Sequence, residues 1–274
     1  MRIGCARVGD EERLVVEGDG VLRAAAAPGV TLADVMSSPG LVTSADDTEE
    51  VGADALVAPL RPGKIVAIGL NYRDHARESG AEVPERPIVF AKFPSSVIGP
   101  GAPIEIDPEA TERVDWEVEL AAVIGRRVRH VSRDDALDVV YGYTAGNDIS
   151  ARDVQFGDGQ WTRGKSFDSF CPLGPLVVTA DELPDPQALE LETRVNGEVM
   201  QQSSTAEMVF GVAELIEFCS AAFTLEPGDV LLTGTPWGCG EFMDPPRSLR
   251  PGDEVVVSVG GVGSLANPVV QARR

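Results

Sequence analysis

The sequence contains no apolar run near the roughly 18 residues that a membrane-crossing helix requires. Its amino terminus, MRIGCARVGDEERL, lacks the apolar segment of a signal peptide. A soluble, cytoplasmic protein with no membrane partner is therefore expected. The four cysteines, Cys5, Cys171, Cys219 and Cys239, are widely separated, and no CxxC pair or neighbouring histidine completes a zinc site. Free thiols in a reducing cytosol follow. There is no internal repeat and no low-complexity segment. Basic residues are scarce, 23 Lys and Arg against 44 Asp and Glu, and the net charge of −21 excludes a nucleic-acid partner, whose phosphates need a basic surface. Such acidity also repels an anionic substrate unless a metal or local cations reverse the field at the site.

What is present is a chain of 274 residues, 43% apolar, enough for one large domain or a large domain with a small companion. Residues 1–60 hold short alternating runs and a polar segment near 44–50, and they end at the Pro59-Leu-Arg-Pro-Gly63 punctuation. This predicts a small amino-terminal domain at 1–60 and a main domain over 64–274. In the latter, apolar runs of strand length (64–70, 87–93, 114–125, 174–179, 229–234 and 254–259) alternate with Gly- and Pro-rich turns. Apolar spacing of three and four predicts helices at 72–79, 133–142 and 208–222. The fold class expected is α+β, mainly β.

In 114-VDWEVELAAV-123 a period of two puts Val114, Trp116, Val118 and Leu120 on one face, and Asp115, Glu117, Glu119, Ala121 and Val123 on the other. The second face mixes carboxylates with apolar residues. It is either a strand fraying into solvent at its acidic end or a buried face whose anions need a cation; spacing leaves both open. Asp148 lies where a strand-like run meets a Gly-Asn turn, a place for a ligand or for a turn-stabilising Asx residue. Three oxygen donors without His or Cys would suit Mg²⁺ or Mn²⁺.

His75 and Glu78 share one face of a short helix for which Asn71 is the expected cap and Gly80 the stop. The pair is either an exposed i, i+3 contact or a general base oriented by a carboxylate. The other histidine, His130, follows an Arg-rich stretch and reads as surface. Lys165 lies in 157-GDGQWTRGKSFDSFCPLGP-175, an ordered loop with buried aromatics; it is a solvated charge or a group that binds a carboxylate or oxyanion. The segment 233-TGTPWGCG-240 offers hydroxyls and amides for an anion but lacks the P-loop pattern.

Taken in order, IGLNYRDHARESG, DWEVELAAVIGR, YTAGNDISARDVQ, RGKSFDSFCPLGP, VNGEVMQ, LEPGDVLLTGTPWGCG and LRPGDEVVVSV resemble the fumarylacetoacetate hydrolase family from about Lys64 to the end. The resemblance implies a mixed β-roll domain, a homodimer, and Mg²⁺ or Mn²⁺ on Glu117, Glu119 and Asp148. It places a catalytic dyad on His75 and Glu78, a catalytic lysine on Lys165, and substrate-binding residues on Arg152, Gln155 and Thr235. The loop before Pro175 looks most like a bacterial branch of acylpyruvate and 2,4-dioxo-3-deoxy sugar-acid hydrolases. The function it implies is metal-dependent cleavage of a C–C bond in a 2,4-dioxo acid through an enolate. Decarboxylation of oxaloacetate or another 2-oxo acid, or isomerisation in aromatic catabolism, uses the same residues; a non-catalytic ligand-binding protein of the same fold is the alternative from another class. The Gly- and Pro-rich stretch 79–87 beside His75 is expected to order as a lid over bound substrate.

Overall fold

A computed structural model describes residues 1–42 and 50–273, so the polar segment near 44–50 lies outside the described residues apart from Glu50. The β-branched and aromatic runs read from the sequence form strands. The central one, Val118–Ile124, is buried at every position. It pairs antiparallel with Val140–Asn147 on one side and with Val230–Leu232 on the other. Val230–Leu232 in turn lies parallel to Ile65–Gly69, which is followed by the antiparallel strand Ile88–Lys92. On the far side Val140–Asn147 pairs with Cys171–Thr179, and that strand meets Arg2–Val8 of the amino-terminal segment. Glu11–Gly18 and Val21–Ala24 continue the same sheet.

A second, five-stranded sheet has Glu190–Val195, Glu254–Val259 and Gly263–Gln271 at its centre. The predicted alternation explains how the two sheets meet. Val118, Leu120, Ala122 and Ile124 enter one core with Leu191, Val255, Val257 and Leu265 of the second sheet. Ala121 and Val123, on the opposite face, pack with Ile3, Leu14, Leu32 and Leu60 of the amino-terminal segment. The result is a mainly-β α+β fold, as the sequence indicates. No helix among the described residues is long and apolar enough to cross a membrane.

Helices form at Arg73–Ser79 and Val212–Ala222, close to two of the predicted spans. The third expectation, 133–142, fails. That stretch makes two single 3₁₀ turns, Arg133–Asp135 and Leu137–Val139, and then enters the strand at Val140. The physical reason is the run Val139-Val140-Tyr141, which suits a pleated surface, together with the ladder that Val123 and Ile124 offer it. The single strand expected over 114–125 is also interrupted: Val114–Asp115 pairs with Ser150–Ala151, and the ladder of the main sheet resumes only at Val118.

Candidate active site

The register of two strands brings the carboxylates together. Val118 pairs with Asn147 and Glu119 with Gly146, so residue 148 falls opposite residue 117 just beyond the ladder. The Asp148 amide donates to the Glu117 carbonyl at 2.9 Å, and the Glu117 amide donates to Asn147 Oδ1 at 3.0 Å. Glu119, two residues on, projects from the same face as Glu117. The ligand oxygens of Glu117, Glu119 and Asp148 all lie within 4.8 Å of one another, and all three residues are buried. The frayed acidic edge considered above is therefore ruled out, and so is an Asx turn at Asp148, whose side chain bonds to lysines instead.

Cations already gather on these anions. Lys165 Nζ, at the end of the helix Thr162–Lys165, bridges Glu117 Oε2 at 2.7 Å and Asp148 Oδ2 at 2.9 Å. It is buried rather than solvated. Lys92 Nζ reaches the other Asp148 oxygen at 2.5 Å and donates to the carbonyls of Ile149 and Lys165. Arg152, which opens the helix Arg152–Asp158, pairs with Asp115 Oδ2 at 2.8 Å and Glu117 Oε1 at 2.7 Å, and its Nη1 donates to Gln155 Oε1 at 3.1 Å. Burial alone would raise the Glu117 carboxyl, but Lys165 and Arg152 bring it down to about 2. Glu119 has no such partner. Burial, with Asp148 and Glu117 beside it, pushes its carboxyl well above the ordinary range, against the Lys165 charge and an amide bond from Gly234 at 2.7 Å. Gly234 makes that bond at φ 95°, where a Cβ would come within 2.8 Å of Asn71 Cβ.

Among Asp115, Glu117, Glu119 and Asp148, only Glu119 has no lysine or arginine paired with it among the described residues, so its ionised form in this buried cluster needs a further cation. A divalent cation held by these hard carboxylate oxygens would supply that charge and turn the local field positive. The donor set fits such an ion.

His75 stands across the cavity. Its Nδ1 lies 3.2 Å from Glu78 Oε2, and Glu78 Oε1 accepts the Gly238 amide at 2.8 Å. The ring is buried and packs edge-on against Phe242, centroids 5.4 Å apart; the exposed pair is thus excluded. Gly80 ends the helix as expected, but Asn71 does not cap it. Its amide is buried and ties Phe210 and Thr233 together through three bonds of 2.8–3.0 Å. Thr235 Oγ1 accepts from Gln201 Nε2 at 2.9 Å, and Gln201 Oε1 holds the Val118 amide at 3.0 Å. His130 is exposed, as read from the sequence.

A cavity of about 200 Å³ is lined by His75, Glu117, Arg152, Gln155, Lys165 and Thr235, together with apolar side chains. Glu119 and Asp148 do not line it but neighbour Glu117, and Glu78 neighbours His75. All nine residues expected in the site are thus gathered at one place, where strands 118–124, 230–232 and 65–69 end side by side. Sequence reasoning missed Lys92, Asp115 and Gln201. Asp115 shared a face with Glu117 and Glu119; Lys92 carried no signal beyond the rarity of lysine.

The arrangement has close counterparts. Residues 64–270 match the fumarylacetoacetate (FAA) hydrolase C-terminal family. A rat protein named as a mitochondrial oxaloacetate tautomerase, Fahd2a, is 49% identical over 216 residues, 78% of this chain and 69% of the relative; a bovine protein of the same activity name, FAHD2A, is 51% identical over 217 residues, with the same shares covered. Among solved structures, a fumarylacetoacetate hydrolase from Exiguobacterium antarcticum superposes with a TM-score of 0.90 at 36% identity, covering 99% of this chain and all of its own. A 5-carboxymethyl-2-hydroxymuconate delta-isomerase from Mycobacterium smegmatis superposes at 0.82 with 40% identity over the full length of both. The buried carboxylate triad and facing His75–Glu78 pair are thus those of a chain that belongs to the fumarylacetoacetate hydrolase family.

Proposed function

We propose that this chain is an enzyme that moves a proton at the carbon beside the carbonyl of a 2-oxo acid, interconverting its keto and enol forms. Mg²⁺ or Mn²⁺ would be held by Glu117, Glu119 and Asp148. The observation that carries the reading is buried His75, paired with Glu78, facing one cavity with Glu117, Lys165 and Arg152. When bound, the ion supplies a Lewis acid that polarises the 2-oxo oxygen and acidifies the neighbouring C–H bond. His75, with Nδ1 donating to Glu78, presents an unprotonated Nε2 that takes this proton and returns it. Glu78, itself fixed by Gly238, keeps the ring in that tautomer. Arg152 and Gln155 bind the substrate carboxylate, Lys165 donates to the oxygen on which charge develops, and Thr235 closes the wall.

The names of the rat, bovine and M. smegmatis relatives favour tautomerisation or isomerisation over the hydrolysis expected from the sequence. Hydrolytic cleavage of a 2,4-dioxo acid is the second reading, because the same dyad can deprotonate water and the E. antarcticum structure carries a hydrolase name. A homodimer and a reducing compartment belong to the same proposal; the latter agrees with four free cysteines.

Chelator-stripped protein refilled with Mg²⁺ or Mn²⁺ and presented with oxaloacetate, acylpyruvates and dioxo sugar acids tests this. Metal-dependent loss of enol absorbance is expected with oxaloacetate, and His75→Ala should slow it about 100-fold or more. Faster release of a carboxylic acid from an acylpyruvate would favour the hydrolase; no metal-dependent turnover of any of them would remove the enzyme reading.

A further inference from the structure

The cavity has two chemically different ends. His75, Glu117, Arg152, Gln155, Lys165 and Thr235 line one part, and apart from Gly69, Ser79 and Ala81 the remaining wall is Ile68, Leu70, Phe90, Phe156, Trp161 and Phe242. Several of these aromatic rings are fixed in place. Trp161 meets Phe90 edge to face, centroids 5.4 Å apart, and lies so close over the Gly69 backbone that a Cβ there would fall 2.3 Å from its ring. Phe90 touches both groups of residues, with Lys165 Nζ 5.2 Å from its centroid on one side and Trp161 on the other. Phe242 is held by the His75 ring and by the Arg152 guanidinium, 5.9 Å from its centroid. Phe156 is 51% exposed.

We propose that the substrate carries one carboxylate, in its 2-oxo acid head, followed by a short apolar substituent of about the size of an aromatic ring that rests on Phe90, Phe156, Trp161 and Phe242. This rests on the reading of the triad end as the head-group site. Two arguments support it. First, the permanent cations among the described lining residues are Arg152 and Lys165, and both already face carboxylates of the protein. With a dication they suffice for one 2-oxo acid head. A second carboxylate at the apolar end would lose its water without gaining a partner, which is costly. Second, the whole cavity is about 200 Å³, against roughly 150 Å³ for apolar cavities that take up a benzene ring, so head and substituent together must be small.

The test compares kcat/KM for keto–enol interconversion of phenylpyruvate and of oxaloacetate on the metal-loaded enzyme. Phenylpyruvate should be preferred by about 10-fold or more, the scale at which an apolar pocket discriminates. Phe156→Arg, at a half-exposed position that tolerates a charge, supplies the missing distal cation and should shift the ratio toward oxaloacetate by about 10-fold. A wild-type preference for oxaloacetate overturns the apolar-tail inference and leaves the 2-oxo acid function standing. An unmoved ratio in Phe156→Arg overturns the placement of the tail. Turnover of neither compound defeats the function and the inference together.

Discussion

At the residue scale, lysine usage is informative. The chain has three lysines and each ends on a buried carboxylate: Lys64 on Asp229 at 2.6 Å, Lys92 on Asp148, and Lys165 on Glu117 and Asp148. A compact ammonium on a flexible stem can enter a crowded site as a point charge, whereas arginine brings a planar fork. Lys92→Met would leave Asp148 with one cation fewer at zero exposure, and we expect a loss of about 3–5 kcal/mol in urea unfolding. A loss below about 1 kcal/mol would mean that Lys92 does not carry Asp148. Glu119→Gln should do the opposite to stability. It replaces a crowded carboxyl whose charged form burial and its two neighbours disfavour and keeps the shape, so the midpoint is expected to hold or rise while Mg²⁺ affinity by calorimetry falls about 10-fold or more. Lower stability together with unchanged affinity would remove Glu119 from the ligand set.

At the scale of elements, the site depends on where strands end. Ile65–Gly69 and Val230–Leu232 run parallel, and antiparallel Val118–Ile124 beside them presents its first residues at their last. The loops after the two parallel strands therefore bring His75 and Thr235 to the carboxylates of the third. The helix Arg73–Ser79 and the segment after it, with Val83 49% exposed, border the cavity through His75, Ser79 and Ala81. Amide exchange across 72–90 should slow on adding oxalate with Mg²⁺; unchanged exchange would remove the lid. The elements were legible where one pattern dominated. Alternation placed each residue of 114–123 on its observed face, but it could not show that the strand is central, because burial on both faces comes from neighbours distant in sequence. At 133–142 local spacing suggested a helix, and strand pairing with 118–124 prevailed.

At the scale of the whole molecule, the described part of residues 1–60 extends the main sheet and packs against one of its faces. Ile3, Leu14, Leu32 and Leu60 share a core with Ala121, Val123, Leu173 and Leu232, and Arg2–Val8 pairs with the Cys171–Thr179 strand. The proposed division into 1–60 and 64–274 is therefore open to a direct test. Residues 64–274 expressed alone should expose an apolar sheet face and an unpaired strand, bind a hydrophobic dye and aggregate. A soluble fragment with a cooperative melt would instead establish two independent domains.

The sequence by itself determined the strand-rich architecture, the face on which Glu117 and Glu119 lie, the His75–Glu78 spacing and the family, because these reside in local periodicity and in the order of motifs. Tertiary structure decided which of the open alternatives held. Strand register set Asp148 opposite Glu117, burial removed the solvent that would have made each charge an ordinary surface group, and distant chain segments supplied Lys92 and Gln201 as partners and brought Arg152 to Asp115. The apolar end of the cavity was likewise out of reach of the sequence, since Phe90, Phe156, Trp161 and Phe242 meet only when the sheet and its loops close around them.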